Sequence, residues 1–267
     1  TGRLYTPDDF AKGDISQGNP DDKYATFRIV LPLEKGVTYG LSGETATYAQ
    51  QVYIDGKLLS EVGKVSDNAE EFVPATDRYT LYFTAQADTA EIIIRHAWFN
   101  HRTGTIQKLC LAKAPLISAN ERAQTVCDGL IAGTLLAMAI FFFGMFLLGN
   151  RKRSMMWFSL SCLTAALHYL IYESKQIGVL FPYLDWYTEH KLEYITNILY
   201  FVFILLYAFA ALGLRPHKRF VVTSICSAGA ILLFYIFTPS TVYTHFTVVA
   251  GAVMAVYLIL SSVYICV

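Results

Sequence analysis

Charge is scarce in this 267-residue sequence, at 16% of residues, and it balances to a formal net of +0. Without a long basic block there is no electrostatic footprint for nucleic acid, which is set aside as a partner. The five cysteines, Cys110, Cys127, Cys162, Cys226 and Cys266, show neither a disulfide framework nor zinc-ligand spacing. The last three lie inside apolar runs, where a thiol behaves as a small core residue. A Cys110–Cys127 bridge is conceivable. No nucleophile motif and no P-loop is present. Asp67, Glu70 and Glu71 cluster in a polar stretch without the His, Cys or Asp spacing of a metal or acid–base site, so they read as a solvated turn. The sequence thus presents no catalytic residues, no metal site and no cofactor signature. Thr1 to Tyr5 also lack the charged and apolar regions of a secretory signal.

What the chain does have is apolar residues, 54% of the total, unevenly spread. Up to about Ala119, charged and alternating apolar residues mix as in a water-soluble domain. From Gly129 onward, long apolar runs dominate. The expected organisation is an extracytoplasmic domain over residues 1–118 and a transmembrane helical domain over 119–267. Runs long enough to cross about 30 Å of hydrocarbon occupy residues 129–148, 154–172, 194–214, 220–237 and 243–267. The connectors at 150–153 and 215–219 are basic, with Arg151, Lys152 and Arg153 in one and Arg215, Lys218 and Arg219 in the other. Residues 173–191 are mixed, and 238–245 carry no Lys or Arg. Basic loops stay on the cytoplasmic side, which puts everything before Asp128 outside the cytoplasmic membrane. A signal or first anchor is therefore expected to have preceded Thr1.

Within the spans, Trp157, Tyr169, Tyr172, Trp186, Tyr194 and Tyr243 fall near the ends, where amphipathic rings sit at headgroup level. Gly129, Gly133 and Ala137 recur every fourth residue, a small helix face suited to close packing within the bundle or across a homodimer. The ionisable residues at membrane depth are His168 and Glu193, both near a boundary. A transporter would more often carry a charged cluster at mid-depth.

In the outer half, Phe27, Ile29 and Leu31 alternate with Thr26, Arg28 and Val30, the period of a half-buried strand. A short strand is expected over Val37–Leu41, and Asp55-Gly56 between two apolar runs signals a tight hairpin. Tyr79–Thr84 and Glu91–Phe99 supply further strands, and no periodic helix interrupts them. An all-β sandwich is the economical fold. Trp98, Asn100, His101 and Arg102 form the candidate ligand-facing group, because a ring can stack on a sugar face while amide, imidazole and guanidinium groups bind hydroxyls or a carboxylate. The competing reading is a core aromatic followed by an ordinary turn. Arg95 and His96 point to opposite faces of their strand. From Ser118 a helix is expected to run directly into the first span, a stiff link between the halves.

The order of these features resembles the bacterial seven-transmembrane receptors with diverse intracellular signalling modules. The residues that carry the resemblance are Tyr24–Ile29, Val52–Leu59, Gly63–Ser66 with Glu70–Pro74, and Phe99–Gly104. In the membrane half they are Arg151–Ser154 with Trp157–Leu160, Leu180–Pro182 with Trp186, and Lys191–Tyr194. The resemblance implies a jelly-roll sensor domain, similar to sugar-binding jelly rolls, that takes a small polar ligand such as a carbohydrate. It further implies two more spans and a cytoplasmic histidine kinase or diguanylate cyclase beyond Val267. The alternative is a membrane-anchored carbohydrate-binding or scaffold protein without signalling output.

Overall fold

The computed structural model describes residues 23–100, 109–149, 151–214 and 218–266. It divides into two compact units, Thr1–Thr125 and Val126–Val267.

In the first unit, side-chain alternation builds a curled antiparallel sheet. β1 (Tyr24–Pro32) turns Phe27, Ile29 and Leu31 to the core and pairs with β5 (Thr89–Ala97), Phe27 opposite Ile94 and Ile29 opposite Ile92. β2 (Thr38–Ile54) is one strand of 17 residues, not the short Val37–Leu41 segment read from the sequence. Gly43 does not end it, because a bulge between Thr45 and Tyr48 lets the chain bend and continue. Its first part pairs with β4 (Ala75–Thr84) and β6 (Cys110–Lys113), its second part with β5 and β3 (Lys57–Val62). The expected hairpin is there. Asp55 (φ 48°) and Gly56 (φ 77°) both take left-handed conformations, as a two-residue type I′ turn demands. The core row is aliphatic and aromatic: Phe27, Leu41, Val52, Ile54, Ile92 and Ile94 are all buried.

The opposite face of this sheet is covered at one end. Lys64 and Val73 exchange two backbone hydrogen bonds, 2.8 and 3.1 Å, and the loop between them lays Phe72 against Ala49 and Ala97. Strand pairs here are thus buried on both sides.

α1 (Ala114–Leu148) begins on the residue after β6, earlier than the start at Ser118 suggested by composition. Pro115 falls in the first turn, where its missing N–H is tolerated. Cys110 and Cys127 are free thiols. In the second unit α1 is followed by α2 (Arg153–His168), which continues as a π-helical turn over Tyr169–Glu173. Then come the single turn α3 (Ile177–Leu180), α4 (Trp186–Ala211), α5 (Lys218–Phe237) and α6 (Ser240–Cys266). Asp185 caps α4, accepting from the Thr188 backbone N–H at 3.2 Å and its hydroxyl at 2.6 Å. Among the described residues five helices are long and apolar enough to cross a membrane.

Small and hydroxylated residues set the helix contacts. The Ser159 hydroxyl of α2 donates to the Ala139 carbonyl of α1 at 2.7 Å, and Ser161, Cys162, Thr164 and Ala166 are buried along α2. Gly129 and Gly133 are not part of these contacts. A Cβ on either would meet nothing within 4 Å, and the buried positions of α1 nearby are Asp128, Ala132 and Ala139. The small-residue face is therefore not a contact within the described chain.

Candidate functional site

The aliphatic row of the first unit turns polar at one end. Along β5 the inward positions run Ile92, Ile94, His96, and along β2 they run Ile54, Val52, Gln50, each residue directly opposite its counterpart. Gln50 and His96 are as buried as the isoleucines, at 2% and 1% exposure. The Tyr79 hydroxyl from β4 donates to Gln50 Oε1 at 3.2 Å. Gly43 makes this possible, because a Cβ there would lie 2.5 Å from that same hydroxyl. Two residues further along the same face of β2, Thr45 is also buried.

Neither ring nitrogen of His96 has a hydrogen-bond partner among the described residues, and the same holds for Thr45 Oγ1 and Asn100 Nδ2. The imidazole is instead walled by rings. Tyr48 lies 4.7 Å from it and Trp98 5.5 Å, centroid to centroid. Burial pushes the His96 pKa down to about 4, and drives the Tyr79 hydroxyl upward for the same reason.

Of the residues singled out in the sequence, Trp98 and Asn100 are half-buried, and Trp98 lies beside His96 at this polar end. His101 and Arg102 lie outside the described residues. Phe99 turns the other way and packs on Phe72, 5.4 Å between centroids. Arg95 faces away from His96 but is not simply solvated: its Nε donates to the Tyr24 hydroxyl at 2.6 Å and its guanidinium sits over the Tyr24 ring at 5.6 Å. Gln50, Tyr79 and Thr45 were missed. The usable signal was strand parity, since Gln50 and His96 fall on the inward period of Val52 and Ile94.

A testable consequence follows from His96. Its folded pKa lies below the unfolded value of about 6.5, so the unfolded chain binds the extra proton between those limits. Stability from this group is complete above about pH 6.5 and falls as pH drops toward 4, by about 3 kcal/mol in all. Thermal melts of wild type and His96→Leu across pH 4 to 7 should diverge over that window; parallel curves would show that His96 protonates freely in the folded protein.

The second site-like feature lies in the helical unit. His190 Nδ1 is 3.2 Å from Glu193 Oε2, and the imidazole stacks on Trp186 at 4.8 Å. Tyr194 and Tyr243 close around it at 5.0 and 5.7 Å, and Tyr235 of α5 packs on both tyrosines at 5.0 and 5.6 Å. One aromatic cluster therefore ties together α4, α5 and α6. His168 reaches the backbone oxygen of Glu193 at 3.2 Å and Thr196 Oγ1 at 3.3 Å, and the Tyr169 hydroxyl donates to Asp128 at 2.7 Å. The two ionisable residues noted in the sequence thus join through the main chain, not through a carboxylate–imidazole pair. Among the described residues no cluster of three or more His, Cys, Asp or Glu is placed to hold a metal ion.

The third feature is the start of α1. Ile117 is 2% exposed and covers Gly40, where a Cβ would lie 2.8 Å from the Ile117 Cβ. Beside it the Tyr82 hydroxyl donates to Glu121 at 2.8 Å, and Lys113 pairs with Glu34 at 3.0 Å. The first turns of the helix are consequently part of the sheet unit.

A curled β unit continuing through one helix into a set of helices long and apolar enough to cross a membrane defines a membrane protein with a β domain. Residues 124–267, more than half of the chain, match the family described as 7TM diverse intracellular signalling. The chain belongs to that family, whose members are transmembrane sensory receptors with intracellular signalling. No curated protein matches it.

Proposed function

We propose that the chain senses a small polar ligand, of which a carbohydrate is the leading class, with its β unit outside the cytoplasmic membrane. The basic connectors at 150–153 and 215–219 then face the cytoplasm, where a histidine kinase or diguanylate cyclase receives the signal. A homodimer is the expected working form. The carrying observation is the junction at Lys113 and Ala114: β6 ends and α1 starts with no residue between them. Any shift of β6 or of its partner β2 moves the helix start, because Ile117 is seated on Gly40. A flexible linker would dissipate such a displacement; this junction transmits it.

Hydrogen exchange of the full chain in nanodiscs tests the reading. D-glucose, D-galactose, D-mannose, N-acetyl-D-glucosamine and cell-wall fragments serve as probes. Altered exchange over residues 114–121 on addition of a probe is the expected result. Protection confined to the strands would favour the anchored binding or scaffold protein, and no response to any probe would remove the carbohydrate form of the proposal.

A further inference from the structure

We propose that the polar end of the sheet interior, formed by His96, Gln50, Tyr79 and Thr45 beneath Trp98, is the ligand site, and that it takes a neutral, hydroxyl-bearing molecule. This rests on the sensory reading above and gives it a location and a chemistry.

Val52 opposite Ile94 and Ile54 opposite Ile92 show that these rows accept aliphatic side chains. One step further the same two rows hold Gln50 opposite His96, with Tyr79 bonded to Gln50 and Thr45 buried two residues beyond Gly43 on the same face of β2. A buried donor or acceptor left without a partner costs about 1–3 kcal/mol. Both His96 nitrogens and the Thr45 hydroxyl are in that condition among the described residues, at 1% exposure each. Native proteins hold only a few such atoms per hundred residues, and three on one face of the sheet point to a partner that arrives from outside.

The chemistry of that partner follows from the groups. Burial keeps His96 neutral, so it presents one N–H donor and one bare nitrogen acceptor. Gln50, Thr45 and Tyr79 are uncharged as well. The charged neighbours in the same strands, Arg95 and Glu91, face the other side of the sheet, Arg95 toward Tyr24 and Glu91 toward Arg28. A carboxylate, phosphate or ammonium would have to shed its hydration shell with no countercharge from the described residues of these strands to meet it. Hydroxyl groups both donate and accept, and match this set without that penalty.

The same geometry makes binding a conformational event. Tyr48, Gln50, Tyr79, Thr45 and His96 are all buried, while Trp98 and Asn100 are half-buried. Access to the imidazole requires the Trp98 side of the site to move. The Trp98 backbone N–H donates to the carbonyl of Lys23, the residue before β1, at 2.9 Å, so opening disturbs the adjoining paired ends of β1 and β5. The ligand satisfies polar groups only in the opened state, and that difference in affinity is what shifts a two-state equilibrium.

The test uses the full chain in nanodiscs with isothermal titration and thermal shift. The neutral probes are D-glucose, D-galactose, D-mannose, myo-inositol and glycerol; the charged counterparts are D-glucuronate and D-glucosamine. At least one neutral probe should bind, and its charged counterparts at least tenfold more weakly. His96→Leu should melt no lower than wild type at neutral pH yet bind that probe at least tenfold more weakly. Thr45→Val, which removes an unpartnered hydroxyl without changing shape, should behave likewise and covers the case in which the first variant fails to fold. A neutral probe that binds both variants with unchanged affinity overturns the site while leaving the sensory reading intact. Charged probes that bind as well as neutral ones overturn the assigned chemistry. A chain that binds no probe, with His96→Leu melting higher, reduces His96 to a structural oddity of the core.

Discussion

Gly63→Ala should destabilise the β unit by about 3–5 kcal/mol, far more than an exposed loop substitution. Gly63 has φ +69°, a conformation that costs an L-residue about 1–2 kcal/mol. Its missing Cβ would point straight at the Val73 carbonyl oxygen, well inside contact distance, and lie 3.2 Å from Ala49 Cβ. That carbonyl cannot simply retreat, because it accepts from the Lys64 N–H at 2.8 Å in the bridge that closes the loop. Opening the bridge sacrifices two backbone hydrogen bonds, each worth about 1 kcal/mol, and lifts Phe72 off Ala49 and Ala97. Gly56→Ala is the internal control. Gly56 has nearly the same φ, +77°, but open space around it, so it should cost only the conformational term of about 1–2 kcal/mol. Denaturant melts of the two variants measure the difference. Equal losses would mean that the Val73 carbonyl does not constrain the position.

The contrast between these two glycines also shows what sequence can and cannot carry. Gly56 was legible because Asp55-Gly56 sits between apolar runs, a local signal with a local consequence. Gly63 is demanding for a reason 10 residues away, at Val73, which no local pattern reports. The same division runs through the fold. Phe27, Ile29 and Leu31 announced β1 by alternation, and the apolar runs announced five spans, since both are periodicities of a single segment. β6 went unread because Cys110–Lys113 is four residues long and is a strand only by virtue of pairing with Tyr39–Ser42. β2 was cut short at Gly43, where glycine normally weakens a strand, although here it makes room for Tyr79. At the candidate site Trp98 and Asn100 were noticed for their residue type. Gln50, Tyr79 and Thr45 are ordinary residues in ordinary strands; only cross-strand register sets Gln50 opposite His96 and lets Tyr79 reach Gln50. The helical unit shows the same pattern: Tyr194 and Tyr243 read individually as interfacial anchors, whereas their packing around His190 and on Tyr235 appears only once α4, α5 and α6 meet.

Ile117→Ala should cost about 2–5 kcal/mol as a buried large-to-small change, and its more informative effect should be on coupling. Ile117 is the side chain by which α1 grips the sheet, seated on Gly40, which has no Cβ to push it away. Deleting its outer atoms leaves the Tyr82–Glu121 hydrogen bond and the Lys113–Glu34 pair to hold the helix start. Both are exposed, and solvent screening leaves contacts of that kind weak. Hydrogen exchange over residues 114–121 should therefore rise in the variant while the strand core, centred on Val52 and Ile94, stays protected. Gly40→Val attacks the same contact from the other side by overpacking it, at about 1–3 kcal/mol. Two substitutions of opposite steric sense should thus share one outcome: the β unit still binds its ligand, and α1 no longer responds. If the ligand-induced change in α1 exchange survives in both, the signal does not pass through the Gly40–Ile117 contact, and β6 alone would have to carry it.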